Sequence, residues 1–112
     1  MIVDDHAEFR RTCRALLEAE GFDVVGEAAD GASALTETDR LRPELVLLDI
    51  QLPDLDGFEV AGRLASAADP PMIVLTSSRH VSSYQHRLAG SSVLGFIAKN
   101  DLSGPALAAL GA

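Results

Sequence analysis

Residues 45–57 read LVLLDIQLPDLDG. Leu45, Val46, Leu47 and Leu48 follow one another without the polar alternation of a half-exposed strand, and Asp49 closes the run. A strand reads this way when helices cover both of its faces, as in the parallel sheet of an α/β domain. Pro53 and Gly57 then supply the turn and the entry into a helix.

The same grammar extends in both directions. Further short apolar runs stand at Ile2–Val3, Phe22–Gly26, Met72–Leu75 and Gly95–Ala98, with amphipathic segments between them. Phe9, Cys13, Leu16 and Leu17 recur at helical spacing, with Glu8, Arg10, Arg11, Arg14 and Glu18 on the opposite face and Gly21 as the stop. Asp30 caps a second helix over about Ala32–Leu41, which Pro43 forbids from continuing. Phe58, Ala61, Leu64 and Ala65 mark a third helix, and Val81, Tyr84 and Leu88 a fourth. Ser103 caps a short fifth carrying Leu107 and Leu110. The expectation is five parallel strands and five helices, doubly wound.

Composition narrows the class. With 112 residues, 47% hydrophobic and 23% charged, the chain suits one compact core, residues 1–112 as a single domain. Only Met1–Val3 precede the acidic residues, and the last helix is brief, so both ends are expected to be trimmed. Nine basic residues against 17 acidic ones leave a net charge of -8, which argues against a nucleic-acid surface. Cys13 is the only cysteine, which excludes an internal disulfide and a thiolate zinc site and fits a reducing, cytoplasmic setting. Apolar runs of a few residues fall far below the roughly 20 needed to cross a bilayer, and no targeting segment is visible.

The chemistry lies where polar residues end the apolar runs. Asp4 and Asp5 follow the first strand, Asp49 the third, Thr76 the fourth and Lys99 the fifth. In an open α/β sheet these carboxyl ends share one edge, where ligands bind at the reversal of strand order. Two carboxylates about 5 Å apart repel by roughly 3 kcal/mol at an effective dielectric near 20, so a cation is required. Mg²⁺ suits a site of one or two carboxylates, a carbonyl and phosphoryl oxygens. With the charge offset, Asp49 can act as a nucleophile on phosphorus while Thr76 and Lys99 stabilise the transferring oxygens. Taken singly, Asp4 and Asp5 would be a helix N-terminal acidic pair, Asp49 a turn residue, Thr76 a strand-end hydroxyl and Lys99 a solvated charge. Their common edge favours the joint reading.

In their order, Val3-Asp4-Asp5-His6, Leu48 to Gly57, Val74-Leu75-Thr76-Ser77 and Lys99 resemble the receiver domains of bacterial two-component response regulators, over nearly the whole chain. The resemblance implies a flavodoxin-like sheet in the strand order 2-1-3-4-5. It further implies Mg²⁺ held by Asp4, Asp5, Asp49 and the backbone carbonyl of Gln51, with Asp49 the phosphoacceptor and Thr76 and Lys99 on the phosphoryl oxygens. Phe96 falls where the family places a rotating aromatic switch. His6 and the non-proline Asn100 after Lys99 look most like the branch with helix-turn-helix output domains. A sensor histidine kinase is the implied partner, a homodimer through the fourth helix, fifth strand and fifth helix is an implied assembly, and DNA would be reached only through an effector domain outside this chain. The spacing of Gly90 and Gly95 departs from the family pattern and marks Ser91–Leu94 as an altered loop.

Two other functions suit such a fold. A phosphorylation-independent interaction module would keep the fold without the switch, but the acidic set is intact. A small Mg²⁺-dependent phosphohydrolase would place a second carboxylate two residues after the nucleophile, where Gln51 stands. His6, His80 and His86 suggest no metal or catalytic cluster, and Tyr84 suggests a helix packing face that also contributes to a partner surface.

Overall fold

The computed structural model describes residues 1–112. Its strands are β1 (Ile2–Val3), β2 (Glu27–Ala28), β3 (Leu45–Asp49), β4 (Met72–Ser77) and β5 (Gly95–Ala98), and its helices α1 (Ala7–Ala19), α2 (Gly31–Leu41), α3 (Gly57–Ala65), α4 (Gln85–Ala89) and α5 (Gly104–Ala109). All strand pairings are parallel, in the order β2-β1-β3-β4-β5. The run at Leu45 is therefore the middle strand, which explains why it lacks polar alternation.

Successive strand residues bury on opposite faces, as the pleat demands. Val46, Leu48, Ile73 and Leu75 join Ala34 of α2 and Val60, Ala61 and Leu64 of α3. Leu47 and Val74 join Cys13 and Leu17 of α1 and Leu107 of α5. Fully burying one such aliphatic side chain contributes about 1.5–3 kcal/mol. Burial pushes the Cys13 thiol up to about 11, with Asp4 adding to the effect, so this cysteine is a core residue and a poor nucleophile.

The expected caps form. Asp30 accepts from Ser33 N at 2.7 Å and Ser103 from Ala106 N at 3.1 Å, and the structure adds Asp56, which caps α3 by accepting from Phe58 N at 2.7 Å. Gly21, at φ 92, follows α1 in the left-handed region.

Two elements differ from the sequence expectation. The second strand falls at Glu27–Ala28 rather than Phe22–Gly26, because Ile2 lies opposite Glu27 and Val3 opposite Ala28. Phe22–Val25 serve instead as an apolar flank in which Val24 is buried and Val25 exposed. The fourth helix is interrupted: a 3₁₀ turn at Val81–Ser83 precedes α4, and Tyr84 sits between them. Two adjacent serines, Ser82 and Ser83, favour local capping over helix interior, and His80 Nδ1 accepts from Ser82 N at 3.2 Å.

Gly57 is needed for close approach rather than for turn geometry. Its N–H donates to Ile50 O at 2.8 Å, and a Cβ there would lie 2.5 Å from the Asp49 carbonyl oxygen and 2.6 Å from Ile50 Cα. Backbone cannot yield as a flexible side chain can. Gly57→Ala is expected to lower unfolding stability by about 1–3 kcal/mol or more. Gly62→Ala in the same helix, where a Cβ meets nothing within 4 Å, should be neutral or stabilise by up to about 1 kcal/mol. Urea denaturation of the two variants side by side measures both.

Candidate functional site

The site is assembled by strand register. Asp49 is the last residue of β3 and lies directly opposite Thr76 of β4, and Lys99 follows the last residue of β5. Asp4 and Asp5 follow β1 on the other side of β3, with Asp4 N donating to Ala28 O at 3.0 Å and Asp4 O accepting from Arg10 Nη1 at 2.6 Å. The strand order brings together five residues that the sequence separates by up to 95 positions, Asp4 to Lys99.

Lys99 is the hub. Its Nζ lies 2.6 Å from Asp4 Oδ2 and 3.3 Å from Asp49 Oδ2, and 4.6 Å from the centre of the Phe9 ring. Asp4, Asp49 and Thr76 are buried, while Asp5 is partly exposed at 34% of its side chain. Burial opposes the Lys99 charge, yet pairing with Asp4 and Asp49 outweighs it and holds the ammonium above the ordinary lysine range. Burial, the largest influence on Asp49, pushes its carboxyl above the usual aspartate range; the Gln51 N–H at 3.0 Å and Lys99 pull the other way, and Asp4 adds to the rise.

Three carboxylates and one ammonium leave two negative charges, the balance a divalent cation offsets. One carboxylate oxygen from each of Asp4, Asp5 and Asp49, together with a ring nitrogen of His6, lies within 4.8 Å of the others. Asp4 Oδ2 is fully buried and paired with Lys99 Nζ at 2.6 Å. A hard, oxygen-seeking dication such as Mg²⁺ therefore fits the residues present. Chemically, the arrangement offers a buried carboxylate next to an ammonium and a hydroxyl-bearing strand, a setting for group transfer to Asp49.

Loops around the edge are tied down. The Asp54 carboxylate accepts from Gly31 N at 2.7 Å, Ala32 N at 2.9 Å and Leu55 N at 2.8 Å, fixing the β3–α3 loop to the start of α2 and lowering the Asp54 pKa. Gln51 forms a bridge with Asp56, and with its amide oxygen turned towards Arg79 it accepts from Nε and Nη2 at 3.2 Å each.

Phe96 is half-buried, and its ring lies 5.9 Å from Tyr84, which lies 6.2 Å from Phe58. Tyr84 is buried, not part of an outer surface, and its hydroxyl lies 3.2 Å from Ser77 Oγ, next to Thr76. Arg87 reaches from α4 to Asp56 Oδ2 at 2.9 Å and covers the Phe58 ring at 4.2 Å. The altered segment Ser91–Leu94 reaches β5 with Leu94 N donating to Ile73 O at 2.8 Å, so the strand is entered in register.

Sequence reasoning missed two participants. His6 stands in the acidic cluster, its Nδ1 3.1 Å from both Asp4 Oδ1 and Asp5 Oδ1; its place directly after the acidic pair was the available signal. Tyr84 was read for its packing face, and nothing in the local sequence marks its bond to Ser77. A cavity of about 390 Å³ lies elsewhere, around Met1, Phe22, Leu41 and Met72 at the opposite sheet edge, and gathers no comparable reactive set.

Comparison with known proteins gives a consistent picture. Residues 1–104 match the response regulator receiver domain. The transcription regulator BvgA of Bordetella pertussis is 38% identical over 101 residues, covering 90% of this chain and 48% of that protein. The transcriptional regulatory protein PdtaR of Mycobacterium tuberculosis is 36% identical over 77 residues, covering 69% of this chain and 38% of that protein. The chain thus spans about half, or less, of the length of these relatives. Among solved structures, the signal receiver domain of the Mycobacterium tuberculosis response regulator NarL superposes with a TM-score of 0.85 at 30% identity, covering 98% of this chain and 93% of that one. A two-component response regulator of the LuxR family from Aurantimonas sp. gives 0.84 at 28% identity, covering 99% and 83%.

The buried Asp49 carboxyl makes a signed prediction about stability. A carboxyl whose folded pKa is raised contributes stability that is present below its unfolded pKa and lost as pH rises through the folded value. Without divalent ions, Asp49→Asn should therefore be more stable than the parent at neutral pH. The gap should close as pH falls to the acid side of the ordinary aspartate range, which urea titrations at several pH values would record.

Proposed function

The chain belongs to the response regulator receiver domain family, and from that premise we propose that it is a phosphorylation-gated signalling switch whose acceptor is Asp49. The family is one of signalling modules rather than turnover enzymes. The observation that carries the assignment is the buried Asp49 carboxylate paired with Lys99 at 3.3 Å and set opposite Thr76 in the ladder.

In this reading a carboxylate oxygen of Asp49 forms the new bond to phosphorus as the bond to the donor breaks. The donor group leaves with the electron pair: a histidine imidazole when the donor is a sensor kinase, acetate when it is acetyl phosphate. Lys99 balances the oxygens of the arriving group, and the Thr76 hydroxyl is the adjacent donor on β4. Asp4, Asp5, Asp49 and the Gln51 carbonyl are the proposed ligands of Mg²⁺, which when bound supplies charge neutralisation for the carboxylates and phosphoryl oxygens. Burial around Asp49 limits water access to the product.

Phosphorylation then favours one of two arrangements through contacts that only the modified Asp49 makes with Thr76 and Lys99. Support for a readout beyond the site comes from the Ser77–Tyr84 hydrogen bond and the contact of Tyr84 with Phe96, which link the residue after Thr76 to β5. The proposed output face is α4, β5 and α5, used for a partner or a second copy. Action on DNA belongs to an effector domain outside this chain; the relatives BvgA and PdtaR are transcription regulators. No helix is long and apolar enough to cross a membrane, and a cytoplasmic setting follows from the kinase partner.

The deciding measurement is intact mass during incubation with Mg²⁺ and acetyl phosphate. One phosphoryl adduct is expected, absent in Asp49→Asn and when Mg²⁺ is chelated. An adduct of equal yield in Asp49→Asn would sink the assignment. Lys99→Ala should slow adduct formation by roughly 10²-fold or more, the scale set by removing one stabilising donor from a transferring group.

A further inference from the structure

The edge that holds Asp49 carries a second cation that the acidic cluster does not use. Arg79 follows Thr76 by three residues, and Thr76 lies opposite Asp49 in the ladder. The Arg79 backbone N–H donates to Ser77 Oγ at 3.0 Å, which fixes the turn after β4. Its side chain crosses to the β3–α3 loop, where Nε and Nη2 lie 3.2 Å from the amide oxygen of Gln51. The backbone N–H of the same glutamine donates to Asp49 Oδ1 at 3.0 Å. The guanidinium is thus held at the rim of the site by the residue that also bonds the acceptor.

Its partner there is neutral. Arg10 is committed to Glu27 at 3.1 Å and Arg87 to Asp56 at 2.9 Å, whereas the Arg79 side chain meets only an amide, and both Arg79 and Gln51 are exposed. The charge count favours a different partner once Asp49 is modified. A phosphoryl group carries about two negative charges where the carboxylate carried one. With Asp4, Asp5, Lys99 and a dication counted in, one negative charge is left over. A guanidinium supplies one positive charge and meets phosphoryl oxygens with two parallel N–H donors. Such charge-assisted bonds are roughly twice as strong as those to a neutral amide, so the phosphoryl oxygens outcompete Gln51.

We propose that Arg79 is a phosphoryl-binding residue, held on the Gln51 side chain in the unmodified protein and transferred to the phosphoryl oxygens when Asp49 is modified. Lys99 then approaches the group from β5 and Arg79 from the turn between β4 and α4, so this turn gains its own contact with the modified acceptor. Gln51 and the phosphoryl group compete for one guanidinium, and the glutamine side chain therefore favours the unmodified arrangement. The inference rests on the proposed reading of Asp49 as the acceptor and concerns only what else binds the group there.

The test is titration of the full chain with fluoroberyllate, a stable anionic mimic of a phosphoryl group on a carboxylate, at saturating Mg²⁺, followed by calorimetry and fluorine NMR. Arg79→Ala is expected to weaken binding about fivefold or more, and Arg79→Lys, which keeps the charge without the planar fork, to fall between it and the parent. Gln51→Ala, which retains the backbone carbonyl and N–H, should tighten binding, and should change nothing when Arg79 is already alanine. Arg11→Ala, which removes one charge from the exposed face of α1, should match the parent. Opposite signs for Arg79→Ala and Gln51→Ala separate competition from a bridge that only shapes the loop, whose loss from either side would weaken binding alike. Unchanged affinity in Arg79→Ala, or equal weakening by the two alanine variants, overturns this inference and leaves the acceptor in place. No binding by the parent, or equal binding by Asp49→Asn, overturns the acceptor reading as well.

Discussion

Everything at the reactive edge depends on one electrostatic constraint: carboxylates from two different strand ends must be held together in a low-polarity setting. Asp4 and Asp49 are almost wholly buried, and their repulsion at this range is worth roughly 3 kcal/mol even at an effective dielectric near 20. Lys99 answers it from a third strand end, with Nζ within 3.3 Å of both. The ammonium therefore acts as a tie between β1, β3 and β5. Its position is decided by the register of β5 on β4, since Thr76 lies opposite Ile97 and Ser77 opposite Ala98. A slip of the β5 ladder would move the lysine away from both acids.

The rest of the fold makes that edge rigid on the side of Asp49. Gly57 allows the start of α3 to touch the Asp49 carbonyl, and Asp54 pins the intervening loop to the first turn of α2. Ile50 N donates to Thr76 O at 2.9 Å, so the pairing of β3 with β4 continues one residue past the acid. Tied backbone at Asp49 and a mixed polar and aromatic contact at Ser77, Tyr84 and Phe96 form two different regimes. The first holds charge in place; the second rests on two tilted ring contacts and one hydroxyl pair.

Much of this was legible in the sequence because it follows from local chemistry. The unbroken run Leu45–Leu48 announced a strand covered on both faces, and Asp30 and Ser103 sit at helix starts where their side chains accept backbone N–H groups. The identity of the acidic, hydroxyl and lysine residues after successive apolar runs placed them on a common edge, since parallel strands point their carboxyl ends the same way. The run Phe22–Gly26 misled, because apolar character reports burial and not ladder pairing. The stripe Val81, Tyr84, Leu88 suggested an unbroken helix for the same reason, whereas local serine and histidine capping divides it.

By itself, then, the sequence determined the class of fold, the order of the chemically active residues and the edge on which they meet, all properties of periodicity and residue type. The tertiary structure alone decided which groups touch. It made Lys99 the partner of both Asp4 and Asp49, drew His6 into the acidic cluster, turned Tyr84 inward to Ser77, and made Gly57 a matter of contact with the Asp49 carbonyl. Contact distances between residues far apart in the chain depend on sheet order, register and side-chain rotamers together, and no local pattern encodes that combination.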